Sequence, residues 1–160
     1  MHAARTPALD RAMLALTWLG SLALLLPAVG LIAGFLWHRR RSDAIFIVVA
    51  LAGASLASYA AKAWAMRPRP DFYAPLVAMP EHASYPSTHA MQAAAFALAL
   101  GLVLRTRRLE WSALLALAVI VAAASRVYLQ VHYPSDVIVG VGVALLGVMG
   151  LRALWRTDAG

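Results

Sequence analysis

The chain contains no cysteine and few acids. Disulfides and thiolate metal sites are therefore excluded. Only 13% of the 160 residues are charged, against roughly a quarter in an ordinary soluble domain. The seven carboxylates are dispersed, so no cluster suited to Mg²⁺ is evident, and no pair of histidines has the helical spacing of a zinc motif. No internal repeat or low-complexity tail interrupts the pattern. A separate soluble domain has no room.

What fills the chain instead is apolar sequence, 62% of it. Uncharged stretches run over 12–37, 44–61, 90–104, 111–125 and 137–151. A membrane span needs about 20 mostly apolar residues. The expected fold is thus all-α: an integral membrane helical bundle of about five transmembrane helices, one domain over 1–160. The first stretch is too long for a signal-peptide core of roughly 7–15 residues, and its arginines follow it. It reads as an uncleaved first helix, kinked at Pro27. Small residues such as Gly53, Ala94, Ala123 and Gly140 recur in the stretches and allow close helix packing.

The net charge of +7 suggests an anionic partner until the cations are placed. Arg39, Arg40, Arg41, Arg105, Arg107, Arg108, Arg152 and Arg156 share one face if the spans alternate. Arg5, Arg11, Lys62, Arg67, Arg69 and Arg126 share the other. The positive-inside rule assigns the first group to the cytoplasm. Topology explains the basicity, and no nucleic-acid partner is expected.

Polar residues that persist in so apolar a chain fall in three blocks: 62–70 (KAWAMRPRP), 85–90 (YPSTHA) and 125–136 (SRVYLQVHYPSD). All three lie on the non-cytoplasmic side, at the mouths of the second to fifth spans. Lys62 and Arg69 can converge on one anion; a phosphoryl group is best stabilised by fixed cations in a dry site. Ser87 sits where the third span begins, so the free amides of Thr88 and His89 face outward as an anion site. Pro134 suits a first helical position, which puts Asp136 in the first turn of the fifth span and His132 just before it. A carboxylate so placed can fix one imidazole nitrogen and leave the other as a nucleophile. The connection 67–86 holds five of the eight prolines, so it reads as a loop, with a short helical piece near 73–79.

Together the blocks resemble the signature of the type 2 phosphatidic acid phosphatase family: K-x6-R-P, P-S-G-H and S-R-x5-H-x3-D. Lys62, Arg69 and Pro70 match the first; Pro86, Ser87 and His89 the second; Ser125, Arg126, His132 and Asp136 the third. Thr88 stands where the family has glycine, and the five stretches are one fewer than many membrane members have. The resemblance implies that His132 attacks phosphorus, oriented by Asp136. His89 then protonates the leaving oxygen and later activates water. Lys62, Arg69, Arg126, Ser87 and the Thr88 amide would hold the phosphate. Neither metal nor cofactor is implied. Arg67, Tyr73 and His82 in the long loop are expected at a substrate headgroup. The expected protein is a hydrolase of a lipid phosphate or diphosphate: phosphatidic acid, phosphatidylglycerophosphate or a polyprenyl diphosphate such as undecaprenyl diphosphate. It would lie in the cytoplasmic membrane with its site on the outer, periplasmic face. The same phosphohistidine would also serve a phosphotransferase. A transporter or lipid-binding scaffold fits less well, because ionisable residues cluster at span ends rather than at the midplane.

Overall fold

A computed structural model describes residues 5–73, 76–105 and 108–155. Among the described residues there are six α-helices: α1 (Pro7–Leu16), α2 (Leu22–Leu36), α3 (Arg41–Ala65), α4 (Thr88–Leu104), α5 (Leu109–Tyr128) and α6 (Pro134–Leu154). A 3₁₀ turn, Thr17–Gly20, joins α1 to α2. No strand occurs among the described residues. Arg107 and Arg156 lie outside them, as does part of the expected 73–79 helical piece; the described residues of that segment are bends and irregular chain.

Helices α3, α5 and α6 are long and apolar enough to cross a bilayer, and the α1–α2 pair makes a fourth candidate. The remaining apolar stretch is α4. Its 17 residues span about 26 Å at the α-helical rise, slightly under the hydrocarbon thickness of about 30 Å. It is nonetheless the middle of the molecule, packed against α3, α5 and α6. Ala90, Ala93, Ala94, Ala95 and Ala99 are buried on it, and such short side chains let three neighbours approach from different sides.

The first apolar stretch differs from expectation. Pro27 lies inside one continuous helix, α2. The stretch breaks at Gly20–Ser21, where α1 with its 3₁₀ turn meets α2 at 45°. Ser21 is extended and accepts from the Ala23 amide, starting α2 afresh. Pro27 falls in the second turn of the new helix, where one lost backbone bond is tolerated. The cause of the break is packing. A Cβ on Gly20 would lie 2.5 Å from the His89 carbonyl oxygen, so only glycine lets this turn rest on the start of α4.

The chain reversals place the C-terminal ends of α3 and α5 beside the N-terminal ends of α4 and α6. At the opposite end, Arg40 bonds the Val103 carbonyl and pairs with Asp43, while the Trp155 indole donates to Ser42. Apolar side chains fill the space between. At the first end α6 crosses α4 closely: a Cβ on Gly140 would stand 2.9 Å from the Ser87 carbonyl oxygen. That contact brings the two helix starts, and their polar residues, together.

Candidate active site

Nearly all the buried polar side chains gather at this one end: Ser58, Lys62, Ser84, Ser87, Gln92, Ser125, Arg126, His132 and Asp136. Most are delivered by helix ends, with Ser84 and His132 in the connections between them. Lys62 is in the last turn of α3. The helix stops at Met66, which is left-handed with φ 40°, and the chain turns into the proline-rich loop. Arg126 is in the last turn of α5. Ser87 caps α4 by position, and Pro134 opens α6 with Asp136 two residues on.

Lys62, Arg69, Thr88, His89, Arg126 and His132 line one cavity of about 250 Å³. It shares Tyr59, Lys62, Arg69, Pro80 and His82 with an outer cavity of about 600 Å³, which Arg67 also lines. Tyr73 and His82 are exposed in the loop, and Tyr73 lines neither cavity.

Two of the cations are held by carbonyls. Lys62 Nζ donates to Ala83 O at 2.7 Å and Ser84 O at 3.2 Å. Arg69 Nε is shared between Pro80 O and His82 O, and its Nη1 reaches Val131 O at 2.7 Å. These bonds fix the cations and pin the loop above them. Arg126 Nη1 donates to Thr17 Oγ1 at 2.6 Å. Its Nε and the Ser87 hydroxyl are buried with no hydrogen-bond partner among the described residues. Unsatisfied buried donors are costly and uncommon, and here two of them border a cluster of cations.

His132 is buried. Its Nδ1, the third buried polar atom with no hydrogen-bond partner among the described residues, stands 3.5 Å from Asp136 Oδ2, and its Nε2 lies 3.5 Å from Arg69 Nη1, on the cation side. Burial, the largest influence, holds the imidazole down to about 4. Asp136 works against that, while Arg126, Arg69 and Lys62 add to it. The ring is thus neutral at pH 7, with a lone pair available. Burial also draws Arg69 below the ordinary guanidinium value, with Asp136 resisting. Asp136 has further donors: Arg67 Nη1 on Oδ1 at 2.7 Å, with Tyr133 N at 2.9 Å and the Ser84 hydroxyl on Oδ2.

Sequence reasoning did not find Ser84, Thr17, Ser58 or Gln92. Thr17 is the partner of Arg126, across 109 residues. Ser58 accepts or donates at 2.7 Å to the Thr88 hydroxyl, which is thereby directed toward α3. Gln92, one turn below His89, bonds Ser55 and lines the inner cavity. None has a motif to betray it. The only available signal was polarity inside an apolar stretch, which Ser55, Ser58 and Gln92 share.

A helical membrane bundle whose inner cavity holds two histidines and three cations, with a carboxylate behind one histidine, carries the groups that phosphoryl transfer uses. Comparison with known proteins agrees. The family model described as PAP2 superfamily matches residues 43–158. Phosphatidylglycerophosphatase B of Bacillus subtilis is 35% identical over 151 residues, covering 89% of this chain and 73% of the relative. The crystal structure of the transmembrane PAP2-type phosphatidylglycerolphosphate phosphatase from Bacillus subtilis superposes with a TM-score of 0.84 at 29% identity, over 95% of this chain and 79% of that one. The crystal structure of Aquifex aeolicus LpxE gives 0.78 at 25% identity, over 94% and 89%. The chain belongs to the PAP2 superfamily, as a multi-pass membrane enzyme of the lipid-phosphate hydrolase class.

Proposed function

We propose that this chain hydrolyses a lipid phosphate through a phosphohistidine at His132, on the outer face of the cytoplasmic membrane. The observation that carries the mechanism is the neutral, buried His132, with Asp136 behind Nδ1 and Nε2 directed at the cations. Nε2 attacks phosphorus while the bond to the leaving oxygen breaks, and His89, charged by the proton that the phosphate monoanion brings into the site, passes that proton to the leaving oxygen. His89, now neutral, takes a proton from water as the hydroxide attacks the phosphohistidine. Inorganic phosphate leaves, and both imidazoles return to their starting state. Lys62, Arg69, Arg126, the Ser87 hydroxyl and the Thr88 amide hold the phosphoryl oxygens as charge builds on them.

Phosphatidylglycerophosphate leads the candidate substrates, because two of the three relatives compared above are named for that ester. Phosphatidic acid and polyprenyl diphosphates are the competitors. The outer cavity has room for a headgroup, with His82 in its wall and Tyr73 elsewhere in the same loop. The outer-face orientation rests on the arginines at the opposite end, Arg39, Arg40, Arg41, Arg105 and Arg108 among them.

The test is phosphate release by purified protein in detergent with EDTA, from the three lipids in parallel, beside His132→Ala. Release that survives EDTA and vanishes in the variant supports the reading, and the ranking of lipids assigns the substrate. Full activity in His132→Ala overturns the phosphohistidine.

A further inference from the structure

Arg67 is not part of the three-block signature, yet it makes the most direct ionic contact with the carboxylate behind His132. Its Nη1 lies 2.7 Å from Asp136 Oδ1 and 2.8 Å from the Ser135 hydroxyl. The guanidinium also stacks over the Tyr133 ring, 4.1 Å from its centroid. Three residues at the start of α6 thus hold one arginine. A cation at a helix N-terminus opposes the macrodipole, so this position is favourable only because Asp136 is there. The carboxylate is fully buried, while the Arg67 side chain is 38% exposed. Arg67 therefore approaches from the loop side, while Asp136 faces His132 on the inner side.

Asp136 has two oxygens and several claimants. Oδ2 takes the Ser84 hydroxyl and the Tyr133 amide, with His132 Nδ1 at 3.5 Å. Oδ1 is left for Arg67. Lys62 and Arg69 act on the same carboxylate through space without a bond to it. Remove the guanidinium and Oδ1 becomes a buried, unpaired anionic oxygen. The carboxylate then turns toward its remaining donors or takes up a proton, and in either case it stops presenting Oδ2 to Nδ1.

We propose that Arg67 is a positioning residue: it clamps Asp136 so that the carboxylate fixes the His132 tautomer, and it does not bind the substrate headgroup. This rests on the reading of His132 as nucleophile and extends it. Partners one step behind a reacting group are worth about 10- to 100-fold when lost, and a loss of that size is expected in kcat for Arg67→Gln. The loss should be equal on phosphatidylglycerophosphate and phosphatidic acid, with KM within about twofold of wild type. Arg67→Lys restores the charge with a single donor head and should recover part of kcat. Ser84→Ala, which frees Oδ2, should lower kcat in the same sense.

A second readout does not depend on turnover. In ¹⁵N-histidine spectra of the detergent-solubilised protein, His132 should show one neutral tautomer in wild type and a mixture in Arg67→Gln. A headgroup contact would instead raise KM for one lipid, leave kcat intact and leave the His132 signals unmoved; any of these overturns the proposal. If wild type cleaves neither lipid, the substrate reading fails, and the His132 spectra still decide the role of Arg67.

Discussion

Replacing Ser87 by alanine should separate stability from catalysis. The Ser87 backbone is fixed without its side chain: its amide donates to Asp136 O at 2.9 Å, and its carbonyl accepts from Met91 N at 3.0 Å. Alanine at an N-cap ordinarily costs about 0.5–2 kcal/mol because a cap bond is lost. Here the hydroxyl makes no cap bond, so that cost does not arise. The hydroxyl is instead buried and unpartnered, a condition worth about 1–3 kcal/mol against the fold. Ser87→Ala should therefore leave the melting temperature unchanged or raise it by about 2–4 °C per kcal/mol recovered. In the proposed reaction the same hydroxyl would donate to a charged phosphoryl oxygen, a bond worth about 1.5–3 kcal/mol. Its loss should lower kcat/KM roughly 10- to 150-fold. Thermal unfolding in detergent and phosphate release on the same preparation measure both. A variant that melts lower yet cleaves at the wild-type rate would refute the reasoning, because the hydroxyl would then be serving the fold.

Two further outcomes follow from the geometry. His132 is held at about 4 in the folded protein against 6.5 in the unfolded chain, so between those values only the unfolded chain takes up the proton. The His132 contribution to stability should therefore be full above pH 6.5 and be lost as pH drops toward 4, a change of about 3 kcal/mol. Unfolding measured across that range should show the slope, and His132→Gln should lessen it; an unaltered slope would place its origin elsewhere. Gly140→Ala sets a Cβ 2.9 Å from the Ser87 carbonyl oxygen, whereas the same atom at Gly147 meets nothing within 4 Å. The first should cost about 1–3 kcal/mol of stability and lower phosphate release, and Gly147→Ala should do neither; equal melting temperatures would contradict the close crossing of α4 and α6.

The helical class was legible because long uncharged stretches have little choice but a membrane, where the backbone must satisfy itself within the helix. The gathering of the three blocks at one end was legible for a related reason: alternating spans of similar length return every second connection to the same face. What escaped were contacts that no local pattern encodes. Thr17 lies in an apolar stretch, and only the folded chain brings it to Arg126. Arg67 and Arg69 are separated by a single proline, and nothing in their order says that one faces the cations and the other Asp136. The break at Ser21 was not foreseen, for want of any sign that Gly20 rests on His89. Proline marks where a helix is weakened; packing decided where this one turns.

The turn at Thr17–Gly20 also bears on when the site comes into being. Gly20 supports the backbone of His89, and Thr17 holds Arg126. Asp10 and Arg5 reach still farther, to the hydroxyl and the carbonyl of Tyr128. A chain synthesised from its N-terminus makes the Thr17–Gly20 turn early, and 109 residues separate Thr17 from Arg126. Until α5 is in place, the turn can rest only on the start of α4, and Thr17 lacks its partner. The catalytic cavity is thus closed by a late contact between distant parts of the chain. A nascent chain halted before α5 would already be a membrane protein, yet it would have no site at all.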